Sequence, residues 1–164
     1  MKETKNTNSH LAPSKKDMED LQSLYKKLNF KSLEKKATQL INKYPDNINL
    51  QNILGYALRS QWKSVEAIKI FESIIKKNPN YYFAYNNVGN VLKDLCRLED
   101  AKKYYEKCIK INSKHINAYI GLGQTLLDLH KLEESAQIFK EALKIEPNNG
   151  QLHRHLSQVT KYKE

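Results

Sequence analysis

The chain has 164 residues, 40% of them apolar and 28% charged, with a formal net charge of +10 at pH 7. That balance suits one folded domain or one short array of repeats and excludes a fibrous or wholly unfolded chain. No apolar run approaches the roughly 20 residues that cross a bilayer, and Met1 to Ser14 is polar without a leader-like apolar segment, so a cytoplasmic location is expected. Only two cysteines occur, Cys96 and Cys108, too few for a disulfide framework or a metal cluster. They read as free thiols in a reducing compartment.

With 5 glycines and 4 prolines, turn-forming residues are scarce, which points to helices joined by short turns rather than to strands. Residues 1–16 are expected to form a disordered tail. Helices are predicted at 17–28, 31–44, 47–60, 63–77, 81–94, 97–111, 115–128, 131–145 and 149–161. One register ties them together. Gly55, Gly89 and Gly123 are successively 34 residues apart, as are Pro45 and Pro79, and Pro147 lies two such periods beyond Pro79. Leu54, Val88 and Leu122 keep step, as do Leu58, Leu92 and Leu126. So do Phe71, Tyr105 and Phe139, and Ile74, Cys108 and Ala142.

Three full copies span 48–81, 82–115 and 116–149. Each carries a Leu or Val before glycine at its seventh and eighth positions, an aromatic at its twenty-fourth, and a small residue (Ala67, Ala101 or Ser135) at its twentieth. Glycine in a helix costs about 1 kcal/mol against alanine, so its recurrence argues for close helix approach. Asn78-Pro79 and Glu146-Pro147 stop second helices, while the middle copy has Ser113 in place of proline. Residues 17–47 read as a degenerate copy, with Leu21 replacing the glycine and Leu33 and Ala37 replacing the small and aromatic residues. Residues 150–162 read as a capping helix.

A helix-turn-helix period of 34 with this pattern resembles the tetratricopeptide repeat. The resemblance implies an all-α, right-handed solenoid of antiparallel helix pairs across 17–164. It also implies a protein-interaction scaffold that binds a peptide or partner segment in a concave groove lined by the first helices, with no catalysis and no cofactor. The family's groove positions are the second, fifth, ninth and twelfth of each copy. They correspond here to Asn49, Asn52, Tyr56 and Arg59, to Phe83, Asn86, Asn90 and Lys93, and to Asn117, Ile120, Gln124 and Leu127, with Asn87 beside them at a sixth position. An asparagine amide both donates and accepts, so it pairs with a peptide backbone whatever the sequence. Asn86 and Asn90 are expected to be exposed.

The chaperone-tail clamp of some family members needs cations at the fifth and ninth positions, which this chain lacks. The YNNVGN segment, 85–90, resembles repeats of a protein-glycosylating N-acetylglucosamine transferase. That enzyme's ladder of sixth-position asparagines is broken here by Ile53 and Gly121. LYKKLNFKSLEKKATQLINKYPDN and LHRHLSQVTKYKE resemble the repeat region of bacterial repeat-linked sulfotransferases. The alternative is therefore a substrate-recruiting arm of a transferase whose catalytic domain is absent.

Half of the net charge, +5, lies in residues 1–45. The chain has 25 lysines but only 3 arginines, the better reader of phosphates and bases, so non-specific phosphate contact is the most expected of nucleic acid. His153 and His155 are two apart on a predicted helix and point to different faces, which disfavours joint metal ligation. Glu99, Asp100, Glu133 and Glu134 open second helices, where they favour the dipole rather than form a catalytic pair. Self-association of the outer faces is left open.

Overall fold

The computed structural model describes residues 12–161, and among them there are nine helices and no strand. They are α1 (Lys15–Lys26), α2 (Phe30–Lys43), α3 (Ile48–Arg59), α4 (Ser64–Lys77), α5 (Tyr82–Asp94), α6 (Leu98–Ile111), α7 (Ile116–Asp128), α8 (Leu132–Ile145) and α9 (Gly150–Lys161). The helix that opens the degenerate copy starts at Lys15, inside the expected tail, because Ser14 caps it by accepting from the Asp17 N–H at 3.1 Å. The rest of that tail, residues 1–11, lies outside the described residues. Asn29 and Asn47 cap α2 and α3 in the same way, each at 3.1 Å. The acids expected at the starts of α6 and α8 are there, in helices that lack a side-chain cap.

Every turn from a first helix to its second uses one device. Leu28, Trp62, Cys96 and His130 have φ of 54°, 62°, 56° and 59°, the left-handed region that side chains rarely adopt. These residues are 34 apart, so the degenerate copy shares the turn of the full copies. The N–H of each bonds three residues back and the next N–H bonds five back, as in Leu28 to Tyr25 and Asn29 to Leu24, which is the Schellman pattern. Second helices end differently. Pro45, Pro79 and Pro147 follow α2, α4 and α8. After α6, Asn112 replaces that stop by accepting from the Lys114 N–H at 3.0 Å.

The chain divides into two compact units, up to Ile74 and from Ile75 onward. In the first, Leu21, Leu33, Ala37, Leu40, Leu50 and Ala57 form the core. Here the bulk is exchanged between helices: Leu21 stands in the glycine register and Ala37 in the aromatic one, both buried in one cluster. Where the glycine is present, an aromatic ring fills the space. A Cβ on Gly55 would lie 2.5 Å from the Phe71 ring. Glu34 on α2 ties down the α3–α4 turn, bonded to Lys63 Nζ at 2.8 Å and Gln61 Nε2 at 2.7 Å.

The second unit repeats the glycine–ring contact at Gly89 with Tyr105 and at Gly123 with Phe139, both rings fully buried. Ser135, the departure from alanine at the small position, is buried and donates to the Gly123 carbonyl at 2.7 Å. That bond offsets the cost of burying its hydroxyl. Cys108 is buried in the register of Ile74 and Ala142, and Cys96 is exposed in its turn. The helix that follows the last full copy, α9, covers α7 and α8 with Leu152 and Val159.

Candidate functional site

On the first unit, α3 presents Asn49 exposed, with Asn52, Tyr56 and Arg59 half-buried. The Tyr56 ring lies 5.0 Å from Tyr25 and edge-on to Phe30 at 6.0 Å. Moving the groove positions back one period gives Lys15, Met18, Gln22 and Tyr25, and all four line a hollow of about 430 Å³ with Glu19, Leu21, Leu33 and Ile53. These residues were not singled out from sequence, because the first copy lacks the glycine that marks the motif. The 34-residue spacing alone was the signal that finds them.

On the second unit the expected positions divide. Phe83 is 40% exposed, stacked on Tyr82 at 4.2 Å and edge-on to His115 at 5.3 Å. Asn117 is exposed, and Asn87 is half-buried. Asn86, expected to be exposed, is instead 7% exposed, and its Oδ1 is buried without a hydrogen-bond partner. Asn86 lies one helical turn before Gly89 and Asn90, on the side of α5 that packs against Tyr105. Ile120 is also buried, at 9%, within the cluster that α9 completes with Ile116, Tyr119, Leu152 and Val159. Asn90 is half-buried and accepts from the Tyr105 hydroxyl at 2.8 Å, so its carbonyl already supports the core. Replacing Asn86 and Asn90 together would therefore disturb packing as well as any groove.

Lys93 and Gln124 belong to a chain of contacts that sequence reasoning missed. Lys93 Nζ donates to Gln124 Oε1 at 3.0 Å, and Gln124 Nε2 stands 3.4 Å from His155 Nε2. The His155 ring stacks on Phe139 at 5.2 Å and 14°. Burial, with Arg154 and Lys93 nearby, pushes the His155 pKa below the ordinary histidine value. Burial alone does the same to His115. His153 is exposed, with Nε2 2.7 Å from the Pro147 carbonyl. Among the described residues, no three His, Cys, Asp or Glu side chains group as metal ligands, and no helix is long and apolar enough to cross a membrane.

The fold so defined is a helix-turn-helix repeat protein. Residues 81–147 match the tetratricopeptide-repeat family model. Solved structures agree in fold. A thermophilic repeat protein of Thermus thermophilus, TTC0263, is 13% identical with a TM-score of 0.80, over 90% of this chain and 81% of that one. MamA of Desulfovibrio magneticus RS-1, from residue 41 to its end, is 19% identical with a TM-score of 0.74, over 91% and 84%. The first repeat domain of Spaghetti (RPAP3), bound to the HSP90 peptide SRMEEVD, is 22% identical with a TM-score of 0.67, over 70% and 94%. No curated protein matches the chain.

Proposed function

We propose that the chain is a protein-interaction scaffold, a binding module and not an enzyme, which holds a partner segment against the groove positions of its first helices. The observation that carries this reading is the side-chain chemistry of that face. On the second unit, exposed Asn117 and Phe83 with half-buried Asn87 and Gln124 place amides for a peptide backbone beside aromatic surface for its side chains, and on the first unit exposed Asn49 with half-buried Asn52 and Tyr56 have the same chemistry. On α3, α5 and α7 none of these positions is an Asp or Glu, and the one acid in the same registers is Glu19 on α1, the equivalent of Asn87. The RPAP3 structure supports the reading, because a fold of this kind is there bound to a peptide.

The test uses side chains that the core does not need. Phe83→Ala with Asn117→Ala removes one aromatic contact and one amide, both exposed. A partner captured by the parent protein should bind the double variant about tenfold or more weakly in titration calorimetry. Unchanged affinity with an intact fold would move the working surface to the outer, lysine-rich helices.

A further inference from the structure

We propose that Lys93, Gln124 and His155 form a binding site for a carboxylate, the acidic side chain of a partner peptide, on the second unit. The inference deepens the groove reading and rests on it. The three side chains come from α5, α7 and α9 and meet through one amide. Gln124 has a single acceptor oxygen, and Lys93 takes it at 3.0 Å. The amide N–H₂ then faces His155 at 3.4 Å, so the imidazole accepts there only while that nitrogen is bare.

A protonated His155 would confront Gln124 with a second donor and leave two cations sharing one oxygen. A carboxylate resolves this conflict, since it has two oxygens, one for the ammonium and one for the imidazolium. The surroundings favour an anion. Lys93 has no carboxylate within salt-bridge distance among the described residues, and its ammonium is held by the neutral Gln124 amide. The charged groups acting on His155 are Arg154 and Lys93, both positive, and the ring packed against it, Phe139, is neutral. Within the second unit, the groove register of α5, α7 and α9 holds Lys93, Arg154 and Lys161 and no acid.

Binding would therefore take up a proton. The free protein holds His155 below the ordinary histidine pKa, and a bound carboxylate raises it. Affinity is greatest below the free-state pKa and falls as pH rises through the bound-state value.

The probes are the hexapeptide Ac-AADEAA-NH₂ and its neutral isostere Ac-AANQAA-NH₂, titrated by NMR into the full chain. The acidic probe should shift the Gln124 side-chain amide, raise the His155 ring pKa by about half a unit or more, and bind about three- to tenfold more tightly at pH 5.5 than at pH 7.5. The isostere should do none of these. Lys93→Met should weaken the acidic probe about tenfold. His155→Gln should keep binding at pH 7.5 and lose the pH dependence. Circular dichroism and thermal melts establish that both variants fold. If the acidic probe binds equally to both variants, or leaves the His155 titration unchanged, the site is refuted while the groove stands. Failure of both probes to bind also refutes the site, and the groove is then judged by the Phe83/Asn117 variant alone.

Discussion

Gly121→Ala places one methyl group against a ring that cannot yield. A Cβ at Gly121 would lie 2.5 Å from Tyr105 Cε1 and Cζ and 2.9 Å from its hydroxyl oxygen. A Cβ at Gly89 would lie 2.8 Å from the same Cε1, so the backbones of α5 and α7 both approach Tyr105 closely. The ring is fully buried, and its hydroxyl is held by Asn90 at 2.8 Å. Alanine gains about 1 kcal/mol of helix propensity over glycine. Overpacking a filled core costs about 1–3 kcal/mol. Turning the ring aside gives up its hydrogen bond, about 0.5–1.5 kcal/mol more. The net is a destabilisation of about 1–3 kcal/mol. Gly150→Ala is the control, since nothing lies within 4 Å of a Cβ there, and it should be neutral or slightly stabilising. Urea unfolding followed by circular dichroism, with the slope checked for each variant, gives both values. A Gly121→Ala protein as stable as the Gly150→Ala protein would show that the ring is not confined.

Cys96→Gly should stabilise by about 0.5–1 kcal/mol in the same assay, because glycine relieves the left-handed backbone and repays only part of that in unfolded-chain entropy. A thiol reagent at pH 7.5 should label Cys96 alone in the native protein and both cysteines in denaturant. Cys108 is buried, and its pKa is pushed up to about 12. Mass spectrometry that finds native Cys108 labelled would contradict its burial. Glu34→Gln should cost about 0.5–1 kcal/mol at pH 7, a modest figure because solvent screens the partly exposed Lys63. Lys63 and Gln61 hold the Glu34 pKa below the ordinary carboxylate value. This contribution is therefore present above the unfolded pKa and lost as pH falls through the folded one, and unfolding curves of the two proteins should converge in acid.

The helices were legible in the sequence because their causes are local and repeat every 34 residues. Pro45, Pro79 and Pro147 forbid continuation, and Gly55, Gly89 and Gly123 mark close approach, so each expected boundary lies within two residues of the observed one. Cys108 is buried, as are Ile74 and Ala142 in the same register. The turns were harder to see. Leu28, Trp62, Cys96 and His130 share a backbone conformation and no side-chain chemistry, so only dihedral angles join them. The candidate groove was legible as a set of positions but not as a surface. Whether Asn86 meets solvent depends on how far α5 is drawn toward its neighbours, and Ile120 is buried because Leu152 and Val159 arrive from α9. The Lys93–Gln124–His155 chain spans 62 residues through two contacts whose |i−j| is 31 each, at the twelfth, ninth and sixth positions of successive copies. Sequence periodicity groups residues that hold the same position in each copy. Only the tertiary packing of successive first helices brings these different positions together, and that packing decides which amide, ammonium and imidazole meet.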